Sequence, residues 1–353
     1  MPARLLIVDD SPVYRLRLSQ ILSVSDRLQL VGLAGDGREA IRLIRERRAQ
    51  VAVLDLEMPE LDGFSVLRWA MAHAPLPFVV CSGQSERDSV FRALEAGAVD
   101  FITKPELRHA VRSETFAAEL RQRVEAAAEA GHFAPAASHT TRRAQDTASV
   151  VAATQLARTM AGRRAHLAAI VGSAGAPAAV ARLISELRPD FGAPVVIALH
   201  MPQGFTRSFA ERLARTTSFA VREARDGEPL IASQIYVAPG GQHTTVARGA
   251  DGTLMLRVEA TAAGDFCAPS ADRLLRSAAE TCGEAALGVV LTGMGEDGRE
   301  GARALRERGA TVVVESRASA VIWGMPRAVS EAGLADAELD LSAIAAAIPL
   351  LCK

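Results

Sequence analysis

Leu5-Leu6-Ile7-Val8-Asp9-Asp10 is a four-residue apolar run that stops on two carboxylates, and Val51-Ala52-Val53-Leu54-Asp55 repeats that form. Phe78-Val79-Val80-Cys81-Ser82 stops on a hydroxyl, and Asp100-Phe101-Ile102-Thr103-Lys104-Pro105 on an ammonium. Runs this short and this apolar read as strands buried on both faces, and Leu30-Val31-Gly32 supplies one more. Helical patterns such as Val13 to Ser23 and Ser85 to Ala96 lie between them. Strand and helix alternating at so short a period imply right-handed crossovers, so this part of the chain is expected to form a parallel sheet.

Beyond it, an Ala- and Glu-rich helical run ends near Ala130, and 131–162 consists of Ala, Thr, Ser, Arg and Gln with few large apolar side chains. Such a stretch cannot build a core. From Leu167 the alternation resumes, with strands at Leu167 to Val171, Val195 to Leu199, Gln234 to Val237, Leu287 to Leu291 and Thr311 to Val314. Helical patterns cover Ala178 to Leu187, Phe205 to Arg215, Ala271 to Thr281 and Gly298 to Arg308. The expected division is an α/β domain over 1–122, a partly helical linker over 123–163 and a second α/β domain over 164–353. The second sheet is expected to be doubly wound and mainly parallel. The 353 residues, 49% hydrophobic and 23% charged, suffice for two cores.

Forty basic residues against 41 acidic ones leave a net charge of -1, so no global field attracts nucleic acid or anionic lipid. Cys81, Cys267, Cys282 and Cys352 lie far apart with no C-x-x-C spacing, which excludes a disulfide framework or zinc cluster and suits a reducing compartment. The start reaches Asp9 too soon for the apolar core of a signal peptide. The uncharged stretch around Ala165 to Ala181 falls short of a membrane span. A cytoplasmic protein is expected.

Ligands of an open parallel sheet bind outside the carboxyl ends of its strands. Asp9, Asp10 and Asp55 converging there would repel one another and raise at least one pKa unless a hard divalent cation neutralised them; Mg²⁺ fits that need. Lys104 is one of only two lysines in a chain that otherwise uses arginine, and a mobile point charge suits a phosphoryl oxygen. Taken singly, Asp9 and Asp10 read as helix caps and Asp55 as a turn residue. Taken together, Asp-Asp, Asp with Met58-Pro59 three residues on, Ser82 and Lys104-Pro105 resemble a response-regulator receiver domain. That resemblance implies a flavodoxin-like (βα)5 fold, Asp55 as phosphoacceptor, and a histidine kinase as phosphodonor. It further implies Mg²⁺ held by Asp10, Asp55 and the Glu57 carbonyl with Asp9 assisting, Ser82 and Lys104 as phosphoryl-binding residues, and a cis Lys104–Pro105 bond.

In the second domain, Gly172-Ser173-Ala174-Gly175-Ala176-Pro177 sets a serine where a strand yields to a helix, as an N-cap or as a nucleophile beside helix-start amides. It is neither a G-x-S-x-G elbow nor a G-x-G-x-x-G loop, although a nucleotide cradle stays open as a reading. His200-Met201-Pro202 follows the next strand, and Thr292-Gly293-Met294-Gly295-Glu296-Asp297-Gly298 brings a carboxylate to the same edge. Ser173, His200 and Asp297 together supply nucleophile, base and orienting carboxylate for acyl transfer, with His243 as the rival base. Their order along the chain matches none of the familiar hydrolases.

His200-Met201-Pro202, Gly204-Phe205-Thr206, Val237-Ala238-Pro239-Gly240 with His243, Pro269-Ser270-Ala271-Asp272, Leu291 to Gly298 and Trp323-Gly324-Met325-Pro326 resemble the catalytic domain of the chemotaxis protein-glutamate methylesterases, the CheB family. The resemblance implies Ser173 as nucleophile, His200 as base, Asp297 as its orienter, the Met294 backbone in the oxyanion hole, and no cofactor in this domain. It implies a methylated chemoreceptor as substrate, glutamine deamidation in many members, and a receiver whose phosphorylation relieves inhibition. The family usually follows its serine with Thr-Gly-Gly, and this chain has Ala174-Gly175-Ala176 there. The alternative reading is a receiver-bearing adaptor whose second domain binds a receptor without efficient turnover.

Overall fold

The computed structural model describes residues 1–83, 87–105, 111–130, 139–160, 163–188, 191–262 and 267–352 and divides the chain into two compact units, Met1–Ala137 and Ser138–Lys353. In the first, β1 (Ala3–Val8), β2 (Leu28–Ala34), β3 (Val51–Leu54), β4 (Phe78–Ser82) and β5 (Asp100–Thr103) alternate with α1 (Pro12–Leu22), α2 (Gly37–Arg47), α3 (Gly63–His73), α4 (Arg87–Glu95) and α5 (Val111–Glu129). The sheet runs β2-β1-β3-β4-β5, all parallel, which is the flavodoxin-like order. Side chains cap the helix starts: Ser11 caps α1 ahead of Pro12, and Asp36 and Asp62 accept from Glu39 N and Ser65 N at 2.8 and 2.7 Å. Gly63 lets α3 press on the backbone of β3, since a Cβ there would collide with the Asp55 carbonyl.

The second unit begins with α6 (His139–Thr159) and continues through β6 (Leu167–Gly172), α7 (Ala176–Glu186), β7 (Val195–Leu199), α8 (Phe205–Thr216), β8 (Ala220–Glu223) and β9 (Gln234–Val237). After the antiparallel hairpin of β10 (Gln242–Arg248) and β11 (Leu254–Ala260) come α9 (Ala271–Cys282), β12 (Ala286–Val290), α10 (Arg299–Glu307), β13 (Thr311–Glu315), α11 (Met325–Glu331), β14 (Ala337–Leu339) and α12 (Leu341–Leu351). Seven parallel strands run β14-β13-β12-β6-β7-β9-β8. The chain winds outward from β6 in both directions, so β6 with its neighbours β7 and β12 marks the switch point where such sheets bind ligands. The residues of β6, β7 and β12 are all buried, as strands covered by helices on both faces must be.

Two parts of the expected linker are elements. Residues 123–129 complete α5, where Val124 and Ala127 are buried and Arg123 donates to Asp100 at 2.5 Å across to β5. Residues 139–159 form α6, which lies along α12 and buries Ser149, Ala153 and Leu156 at i, i+4, i+7 spacing. So few apolar side chains suffice because α12, with the sequence LSAIAAAIPLL, brings most of the apolar surface itself. The hairpin, β8, β14, α11 and α12 add to the strands and helices that the sequence pattern predicts. Among the described residues the cis X–Pro bond is Ala268–Pro269; Lys104–Pro105 is trans, as proline bonds are by default. No described helix is long and apolar enough to cross a membrane.

Candidate active site and phosphoacceptor site

In the first unit, Asp55 N donates to Val8 O at 2.8 Å, which lays the end of β3 against that of β1. One carboxylate oxygen from each of Asp9, Asp10 and Asp55 falls within 4.8 Å of the others. Lys104 N donates to Ser82 O at 2.8 Å, joining the ends of β5 and β4. Lys104 Nζ reaches Asp55 Oδ2 at 2.5 Å and Asp9 Oδ2 at 2.8 Å. Burial pushes the Asp55 carboxyl up to about 6 even though Lys104 opposes the shift. Those carboxylates hold Lys104 charged, outweighing its own burial.

The residues fit a divalent cation. Apart from the Lys104 ion pair, buried Asp9 Oδ2 has no hydrogen-bond partner among the described residues, and Asp10 is exposed beside it. Three hard oxygen donors around one ammonium are short of positive charge. Glu57 N donates to Asp55 Oδ1 at 3.3 Å, so Glu57 adjoins the cluster, and Ser82 is buried at the end of β4. Sequence reasoning missed Tyr14 and Arg15 on α1. Arg15 Nη1 donates to Asp9 O at 2.5 Å and to Asp10 O at 2.8 Å, and thus fixes the acidic loop.

In the second unit, Ser173, His200 and the loop carrying Asp297 leave three adjacent strands, β6, β7 and β12. Ser173 N donates to Thr292 O at 3.0 Å and His200 N to Gly172 O at 3.2 Å, so both flanking loops are tied to the end of β6. Gly293 permits this closeness, since a Cβ there would lie 2.9 Å from Ser173 N and Cβ. Ser173 Oγ is buried with no hydrogen-bond partner among the described residues, so the structure brings Ser173 to the site without bonding it to His200. His200 Nε2 lies 2.8 Å from Asp297 Oδ2.

Burial would raise the Asp297 carboxyl, but the hydrogen bond and charge of His200 and backbone amides outweigh it and hold it below the usual range. A carboxylate in that state only accepts, so His200 Nε2 is the donor in this bond. The holder of Asp297 is the start of α9: Ala271 N and Asp272 N donate at 2.8 and 2.9 Å, and Ser270 Oγ at 3.2 Å. Asp272 Oδ1 returns the favour to α10, accepting from Gly298 N and Gly301 N at 2.9 and 2.7 Å. Each helix start is thus satisfied by an aspartate beside the other. Pro269-Ser270-Ala271-Asp272 carried that signal as an N-cap followed by an acidic first turn.

His243, the rival base, is buried, and its Nδ1 accepts from Ser270 N at 3.3 Å, one residue from the amides that hold Asp297. Glu315, unremarked in the sequence, is buried in β13 and accepts from Thr292 N at 2.8 Å. Its burial pushes the carboxyl up. Thr292 Oγ1 donates to Ala174 O at 3.0 Å, securing the turn that departs from Thr-Gly-Gly. Met294 follows Gly293 on the same loop, and Gly293 O accepts from Gly324 N and Met325 N at 3.0 and 2.8 Å.

A family model for the CheB methylesterase matches residues 168–348, and one for the response regulator receiver domain matches residues 5–114. A protein-glutamate methylesterase/protein-glutamine glutaminase of Anaeromyxobacter dehalogenans is 39% identical over 97% of this chain and 94% of its own. One from Myxococcus xanthus is 41% identical over 95% of this chain and 93% of its own. The crystal structure of the Thermotoga maritima CheB methylesterase catalytic domain, 35% identical, superposes with a TM-score of 0.50 over 53% of this chain and 97% of that one. With two domain matches in this order and relatives aligned over nearly its whole length, the chain belongs to the CheB methylesterase family, a receiver domain preceding the catalytic domain.

Proposed function

We propose that this protein hydrolyses γ-glutamyl methyl esters on the cytoplasmic part of a chemoreceptor, deamidates receptor glutamines by the same route, and does so faster once Asp55 is phosphorylated. The observation that carries the reading is the His200–Asp297 hydrogen bond together with a buried Ser173 Oγ that has no hydrogen-bond partner among the described residues, both at a sheet switch point. Ser173 Oγ bonds to the ester carbonyl carbon as its proton passes to His200 Nδ1, while Asp297 steadies the Nε2–H. The Met294 N–H faces the oxyanion. Collapse breaks the bond to methoxide, which takes the proton from His200 and leaves as methanol. Water then repeats the sequence on the acyl-serine, giving glutamate and free Ser173; a glutamine substrate releases ammonia instead.

In the receiver, Asp9, Asp10, Asp55 and the Glu57 carbonyl would hold Mg²⁺, which when bound screens the charge of an incoming phosphoryl group. A histidine kinase is the phosphodonor of this reading, Asp55 accepts the phosphoryl group, and Ser82 and Lys104 contact it. The adaptor reading is disfavoured by a complete set of nucleophile, base and orienting residues and by relatives named for turnover. Methanol release from methylated receptor, measured with and without acetyl phosphate, tests the proposal. Release is expected to depend on Ser173 and to rise with the phosphodonor. No release from wild type, or full release by Ser173→Ala, would overturn it.

A further inference from the structure

We propose that Tyr14 is a positioning residue for phosphoryl chemistry at Asp55: its ring seats the Lys104 ammonium, and its hydroxyl ties down the backbone that carries this lysine. The catalytic consequence rests on the reading of Asp55 as phosphoacceptor; the seat itself does not.

Lys104 Nζ is 4.9 Å from the centroid of the Tyr14 ring while it pairs with Asp55 and Asp9. Tyr14 Oη donates to Pro105 O at 2.8 Å, directly after Lys104 in the chain. One residue of α1 therefore grips both the tip of this lysine and its root. A tyrosine that merely filled space would need neither contact. Its neighbour Arg15 fixes the Asp9 and Asp10 carbonyls, so two consecutive residues of α1 set the acidic loop and the lysine loop against each other.

The seat matters because Lys104 must change partners. In transfer from acetyl phosphate, an Asp55 oxygen bonds to phosphorus as the bond to the acetate oxygen breaks and acetate departs. Asp55, one of the two carboxylates that held the ammonium, is then an acyl phosphate, and Lys104 has to exchange it for the phosphoryl oxygens while Asp9 stays in place. A lysine stem is flexible and would otherwise lose its bearing on the site. The aromatic face attracts the ammonium whatever its anionic partner, so it restrains Lys104 before and after transfer.

The sequence makes the test direct, because Lys104 and Lys353 are the only lysines. Full-length protein grown with ¹³C-labelled lysine gives two sets of Cε–Hε resonances, Lys353 serving as reference. The ring current should move the Lys104 set upfield in wild type and in Tyr14→Phe, and Tyr14→Leu should return it to the reference position. Phosphorylation by acetyl phosphate with Mg²⁺ should slow by about 2- to 30-fold in Tyr14→Leu, with most of the rate kept in Tyr14→Phe. Coincident lysine resonances in wild type would refute the seat. A Tyr14→Leu protein that has lost the shift yet takes up phosphoryl at the wild-type rate would refute its catalytic role. A wild type that takes up no phosphoryl would defeat the receiver reading, and the lysine shift would still decide the seat.

Discussion

At single residues, Ser173, His200 and Asp297 are expected to behave as one unit. Ser173→Ala and His200→Ala should each lower esterase turnover by about 10⁴- to 10⁶-fold, and the double variant little more. Asp297→Asn should cost nearly as much, since an amide can donate to Nε2 and drive the proton to Nδ1. Single-turnover rates of the four proteins check this, and multiplicative losses would break the unit apart. Asp55 offers a second test through stability. Its carboxyl is raised from 3.8 to about 6 by burial, so between those values the folded chain binds more protons than the unfolded one. Stability therefore falls as pH rises through that window, by roughly 3 kcal/mol for the full shift. In urea with chelator, Asp55→Asn should gain on wild type at pH 7.5 and not at pH 4.5; an equal gain at both would rule out the burial cost. Asp9, Asp55, Ser82, Lys104, Ser173 and His200 were legible because each ends a strand, where the pattern of buried runs fixes position without any knowledge of packing. Tyr14, Glu315 and the α9 amides were not, since their roles depend on which loops meet in space.

Among the elements, α5 is held to β5 by a buried ion pair, Arg123 to Asp100, with Glu119 one helical turn away. Burial raises the Asp100 carboxyl in spite of that arginine. Removing one partner strands a buried charge, so Arg123→Met should cost about 3–5 kcal/mol, and adding Asp100→Asn should recover much of it. Urea unfolding of the two variants decides the matter, and a double variant no better than the single would refute the coupling. The all-buried strands were readable as runs, but β8, Ala220–Glu223, holds only two apolar residues and lies at the sheet edge. The hairpin belongs to no parallel unit, and α6 presents mostly small residues, so their partners had to be seen before they could be recognised.

In the molecule as a whole, α6 belongs to the catalytic unit although its composition reads as linker. A fragment beginning near residue 138 should be more stable than one beginning at 162, which uncovers the side of α12 that Leu156 and Ala153 cover. The difference should be roughly 2–4 kcal/mol by denaturant unfolding, and equal midpoints would show that α6 contributes nothing. Acetyl phosphate should speed ester hydrolysis by the full chain and leave the longer fragment unaffected; acceleration of both would exclude the receiver as the route. The placement of the candidate catalytic groups on three neighbouring strands has a consequence in time. Contacts at the candidate active site join residues 118 and 97 positions apart, whereas Lys104 meets Asp55 across 49. Longer closures form later. A chain diluted out of denaturant, or growing from a ribosome, should thus regain phosphoryl uptake before esterase activity, and for that interval it can take the signal but has nothing to answer with.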